Sequence, residues 1–146
     1  MRRVISFGIV TLAAAAAIAG YAFAQDDMVA KRQALMKDNG AQATVGGQMA
    51  QGATPFDAAA AKAAMLKLAA NAAEIPADFP PGSEGGKALP AIWANFADFE
   101  AKAAALKTAA EAAATAADQG LETFGPAFGA VGQACGGCHQ AYRQPS

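Results

Sequence analysis

The chain has 146 residues, 54% of them hydrophobic, and a formal net charge of −1 at pH 7. That length supports one domain around a single core. The balanced charge, with no basic patch and no interleaving of basic and aromatic residues, argues against a nucleic-acid partner.

Arg2 and Arg3 precede an almost unbroken apolar run from Val4 to Gly20, and Ala22-Phe23-Ala24 forms a small-x-small cleavage pattern ahead of Gln25-Asp26-Asp27. Residues 1–24 therefore read as a cleaved signal peptide and 25–146 as the mature domain. The run approaches the ~20 residues that span a bilayer, so a retained anchor is the competing reading, which the well-formed cleavage site disfavours. The Arg2-Arg3 pair lacks the flanking pattern of twin-arginine export, and general secretion is expected. No later run is long enough to span a membrane, so no attachment is expected after cleavage.

The mature chain is rich in alanine and helical in period. The first segment runs from about Asp26 to Met49, with Met28, Arg32, Leu35 and Met36 on one face. Asn39-Gly40 and Gly46-Gly47 interrupt it with residues that often end helices. The second helix is expected to start at Thr54 as N-cap with Pro55 in the first position. Its apolar stripe reads Phe56, Ala60, Ala63, Leu66 and Ala69, with Leu68 alongside, and Ile75-Pro76 ends it. Residues 76–90, with Pro80-Pro81-Gly82 and Gly85-Gly86, read as the one long loop.

The third helix carries the strongest pattern. Ile92, Phe96, Phe99, Ala103, Leu106, Ala110, Ala113 and Ala117 are spaced four and three apart, the seam of a bundle helix. Asp118-Gln119-Gly120 makes the next turn. The fourth helix places Leu121, Phe124, Phe128, Val131, Cys135, Cys138 and Tyr142 on one face, and Pro126 should start it or kink it early. The fold class expected is all-α, an antiparallel four-helix bundle.

Cys135-Gly136-Gly137-Cys138-His139 lies on that last helix. Two thiols three positions apart meet the two vinyl groups of one haem, and the adjacent imidazole ligates its iron. A redox dithiol would need a βαβ context that is absent. A closed zinc site would have to borrow carboxylates, because the chain has two cysteines and one histidine. A disulfide, the default for an exported pair, leaves His139 without a role. One covalently attached haem c is the expected cofactor, with Cys135 and Cys138 as attachment points, His139 as an iron ligand, and the periplasm as location.

A haem motif on the last helix of an exported four-helix bundle resembles the class II cytochromes c, the family of cytochrome c prime and its low-spin, methionine-ligated relatives. The likeness extends from Gln25 to Arg143. It includes Arg32-Gln33-Ala34-Leu35-Met36-Lys37, Pro90-Ala91-Ile92-Trp93, and the haem motif followed by Tyr142-Arg143. The resemblance implies that Met36 faces the iron opposite His139 and that Arg32, one turn earlier, lies near the haem propionates. It also implies a cofactor contact for basic Arg143, an aromatic wall at Trp93, and a first helix that continues through Gly40 to Met49. Homodimers are common in such a family. Read on their own, Arg32 and Arg143 could be solvated, Trp93 an ordinary core residue, and Met36 a core filler.

Two functions remain open. If the Met36 sulfur bonds the iron, the protein is a low-spin electron carrier. If Met36 only packs over it, the site is five-coordinate and open to nitric oxide or carbon monoxide. Met-Lys-Asp-Asn-Gly at 36–40 resembles the low-spin branch, which favours electron transfer. An enzyme is not expected, since the one histidine is committed and no nucleophile–base pair or phosphate-binding loop stands out. Without Arg2 and Arg3 the mature chain has nine basic and twelve acidic residues, a balance that suits a redox partner offering basic residues; the sequence does not identify that partner.

Overall fold

The computed structural model describes residues 10–145, with side chains from Asp27 onward. Helix α1 spans Val10–Ala50, α2 Ala58–Glu74, α3 the single turn Ala91–Ala94, α4 Phe96–Ala117 and α5 Leu121–Tyr142. A 3-10 turn, Ile75–Asp78, follows α2. Helices α1, α2, α4 and α5 form a ring of four, in which α2–α4 and α4–α5 make the broadest interfaces and α1 closes against α2 and α5. The expected leader and its cleavage point lie outside the residues whose side chains are described. Among the described residues no helix is long and apolar enough to cross a membrane.

Small side chains set the packing. Ala61, Ala72, Ala110, Ala113 and Ala117 are fully buried where α2, α4 and their neighbours meet, and interaxial distance falls with the size of the contact residues. Met65, Leu68, Ile92, Phe124 and Val131 fill the remaining interior, each contributing about 1.5–3 kcal/mol by leaving water. The α4 seam follows the sequence pattern closely: Phe99, Ala103, Leu106, Ala110, Ala113 and Ala117 are all buried. Ile92 is buried too, but on α3, because the backbone breaks at Asn95 (φ −137°, ψ 55°) before α4 begins.

Helix α1 is unbroken through both glycine-containing pairs. Gly46 is required by packing: a Cβ there would fall 2.7 Å from Phe128 Cε2, so glycine admits the aromatic ring of α5. A Cβ on Gly40 would meet nothing within 4 Å.

Two expectations about α2 are corrected. Its N-cap is Asp57, whose carboxylate accepts from the Ala60 amide at 3.0 Å, and not Thr54. Its buried face is Ala61, Ala64, Met65, Leu68, Ala69 and Ala72, while Ala63 and Leu66 are exposed. The cause is Phe56. It packs inward on Phe124 at 5.5 Å from the extended lead-in before the helix, so a stripe counted from it starts out of phase. In α5, Leu121 is exposed in the first turn. Pro126 neither starts the helix nor ends it, but sits in its second turn.

Candidate functional site

Three distant segments meet at one end of the bundle. From α1 come Val29, Arg32 and Met36; from the 76–90 loop, Phe79, Gly85, Gly86 and Ala88; from α5 and the residue after it, Cys138, His139, Tyr142 and Arg143. Together with Ile75, Ile92 and Phe99 they enclose a cavity of about 330 Å³, open on one side. Five of the six residues singled out from the sequence thus line one space. The sixth, Cys135, lies one turn earlier on α5, half-buried against the core.

Arg32 anchors the wall. It is buried, which removes the solvated reading. Its Nε donates to the Asp78 carbonyl at 2.7 Å, and Nη2 donates to the Ser83 carbonyl at 2.6 Å and to Ser83 Oγ. Phe79 and Trp93 flank the cation, with centroids 4.2 and 5.6 Å from Cζ. Burial lowers the guanidinium pKa against the opposing pull of Asp78 and Glu84, and it remains charged. The Asp78 carboxylate is itself buried, without a well-aligned hydrogen bond among the described residues, and Lys31 stands 2.6 Å from Oδ1 as counter-charge.

The loop is fastened to the far end of the site. Leu89 N donates to the Tyr142 carbonyl at 3.0 Å and Gln144 N to the Lys87 carbonyl at 2.9 Å, an isolated antiparallel bridge between Ala88 and Arg143. Gly85 and Gly86 have φ of 150° and 61°, and a Cβ on either would press within 3.2 Å of Val29. Only glycine gives both that backbone and that approach. Behind the cavity, Phe79, Phe99 and Tyr142 stack edge to face at 4.8 and 5.4 Å. Trp93 packs on Phe79 and donates Nε1 to the Pro80 carbonyl at 3.0 Å. It is therefore one layer outside the cavity wall.

The chemistry of the donors suits a covalently held haem. Burial raises the pKa of both thiols, so Cys135 and Cys138 stay protonated. Burial, then the charge of Arg143, lowers that of His139, which leaves a neutral imidazole with a lone pair to give. Arg32 Nη1 is buried with no hydrogen-bond partner among the described residues. An orphaned cationic donor at the wall of an apolar cavity fits an incoming carboxylate.

By sequence, residues 79–88 are only part of a long connection, yet they wall the cavity. Their length was a usable signal, because a long irregular loop in a compact domain commonly belongs to a site. By its spacing Tyr142 belongs to the packed face of α5. It also donates Oη to Asp98 Oδ2 at 2.5 Å, tying α5 to α4 beside Cys138.

Comparison with known proteins places these features. Residues 27–143 match the family model for cytochrome c prime. A cytochrome c-556 from Agrobacterium fabrum is 44% identical over 116 residues, covering 79% of this chain and 80% of that protein. Recombinant native cytochrome c prime from Alcaligenes xylosoxidans superposes with a TM-score of 0.77 at 34% identity, over 83% of this chain and 97% of that one. A point variant of the same protein, solved as a nitric oxide complex, gives a TM-score of 0.73 at 38% identity, again over 83% and 97%.

Proposed function

Since the chain belongs to the class II cytochromes c, the family of cytochrome c prime, and carries a covalently attached haem c, we propose that it is a periplasmic electron carrier in which His139 and Met36 would supply the iron ligands. The observation that carries this reading is that Met36 from α1 and His139 from α5 line the same cavity. Cys135 and Cys138 would hold the porphyrin by thioethers, the uncommitted Nη1 of Arg32 would be available to a propionate, and Arg143 would add a second positive charge. The bound group supplies a one-electron couple whose potential methionine–histidine ligation raises. The surrounding side chains exclude water: Val29, Ile75, Phe79, Ile92 and Phe99 make the cavity apolar. The protein then does no bond-making chemistry of its own, and residues 1–24 direct its export and are removed.

A second reading has its own support. A point variant of the similar Alcaligenes protein has been solved with nitric oxide, so a five-coordinate iron with Met36 packed over it would make this chain a binder of diatomic gases.

Absorption spectra of the purified holoprotein, oxidised and reduced, with and without carbon monoxide, separate the two. Electron transfer predicts sharp low-spin bands, a far-red sulfur-to-iron band, indifference to carbon monoxide, and conversion to high spin in Met36→Ala. A high-spin wild-type spectrum that responds to carbon monoxide, unchanged in spin state by Met36→Ala, overturns it in favour of gas binding.

A further inference from the structure

A buried polar chain runs from the surface of the bundle to the Met36 sulfur. Asp38, on α1, has a carboxylate that accepts from Gln42 Nε2 at 3.0 Å and lies 3.5 Å from Lys67 Nζ. Asn71 on α2, 2% exposed, donates Nδ2 to Asp38 Oδ2 at 2.7 Å and to Asn39 Oδ1 at 2.9 Å. Asn39, also buried, points its own Nδ2 at Met36 Sδ, 3.9 Å away.

The direction of this chain follows from chemistry. A carboxylate accepts only, so Asn71 must present its NH₂ to Asp38. That same NH₂ takes the Asn39 oxygen, which turns the Asn39 NH₂ away from α2 and towards the thioether. An amide flip at Asn39 would set two donors against each other and leave oxygen facing sulfur. Burying two asparagines between α1 and α2 costs packing and desolvation unless they are matched, and here each finds its partner.

We propose that Asn39, oriented by Asn71, is a positioning residue for Met36. It donates a hydrogen bond to one lone pair of the sulfur and leaves the other for the iron. The inference rests on Met36 being a ligand. A hydrogen bond withdraws electron density from the thioether, and the more electron-poor oxidised metal loses more by that than the reduced metal does. Asn39 therefore raises the reduction potential.

The test is a redox titration of holoprotein variants. Asn39→Leu keeps a side chain of similar size without the donor, and should stay low-spin with a lower midpoint potential. The reduced-to-oxidised ratio at fixed poise should fall about two- to tenfold, the range one hydrogen bond commands. Asn71→Leu, which leaves Asn39 in place but unlatched, should shift in the same direction by less. A change in polarity alone predicts the opposite sign, because a drier surrounding disfavours the oxidised, more highly charged state. A potential unmoved or raised in low-spin Asn39→Leu overturns the proposal. Should that variant fail to fold, proton NMR of the reduced wild type decides: a nuclear Overhauser contact between the Asn39 Nδ2 protons and the Met36 methyl is expected, and its absence overturns the orientation. If Met36→Ala leaves the spin state unchanged, the ligand assignment itself fails, and the proposal falls with it for a reason distinct from the others.

Discussion

The guanidinium carbon of Arg32 sits 4.2 Å from the centroid of the Phe79 ring, so the cation that faces the cavity is also a packing element of the loop that walls it. Arg32→Lys keeps charge but loses the fork that reaches Asp78 and Ser83 together. Arg32→Ala also removes the positive charge near Asp78 and leaves the buried Asp78 and Ser83 carbonyls without their donor. Each buried acceptor left unsatisfied costs about 1–3 kcal/mol. Denaturant unfolding of the holoproteins should rank wild type above Lys and Lys above Ala; equal midpoints would show that the loop does not depend on this residue.

Asp57 caps α2, and Thr54 does not. Asp57→Ala should lower stability by about 1 kcal/mol, whereas Thr54→Ala should stay within about 0.5 kcal/mol of wild type. Thermal melts of the two variants, monitored by helical circular dichroism, decide between the residues.

Two glycines of α1, Gly46 and Gly40, should behave oppositely. Gly46→Ala drives a methyl to within 2.7 Å of the Phe128 ring and should cost about 1–3 kcal/mol through overpacking. Gly40→Ala meets open space and should gain about 0.5–1 kcal/mol from reduced freedom of the unfolded helix. Phe128→Leu should recover part of the Gly46→Ala loss, and a lack of recovery would locate the strain elsewhere.

Hydrogen bonding to Asp98, reinforced by burial and the carboxylate's charge, pushes the Tyr142 phenol up to about 12 from an ordinary 10.0. A raised folded value means the protonated phenol stabilises the fold. That contribution is complete below pH 10, shrinks as the pH rises from about 10 to 12, and is gone above. The Lys31 value is also raised, first by its close pairing with the Asp78 carboxylate, so the readout is the difference between wild type and Tyr142→Phe. That difference should vanish with rising pH. The chain has two tyrosines, and removal of the leader with Tyr21 would leave Tyr142 alone to report by ultraviolet absorbance.

What the sequence could disclose divides along physical lines. The α4 seam and the inward face of α5 were readable because spacing alone fixes which side of a helix is apolar. Helix α2 was read one phase out, since nothing local says that Phe56 reaches the core from an extended strand of chain rather than from the helix. Asn39 shows the deeper limit. Beside Gly40 it has the look of a helix stop, and its burial is compensated by Asn71, 32 positions away. The cavity wall at Phe79, Gly85 and Gly86 was hidden for the same reason: loop side chains acquire their partners through closure of the fold. The haem motif Cys135-Gly136-Gly137-Cys138-His139 needs no such closure to be legible, as its residues are adjacent.

The cavity is bounded by contacts that join residues 44 to 51 positions apart: Arg32 to Asp78 and Ser83, and Tyr142 to Asp98. Loops of that length close late, after the local helices have formed, because their entropy is spent before any contact repays it. A partly folded chain can thus hold its helices while the segment around Cys135 and Cys138 is still unroofed. With Cys135 and Cys138 as the proposed attachment points, such an order would leave both thiols within reach of a large planar group until the loop and α1 close over it.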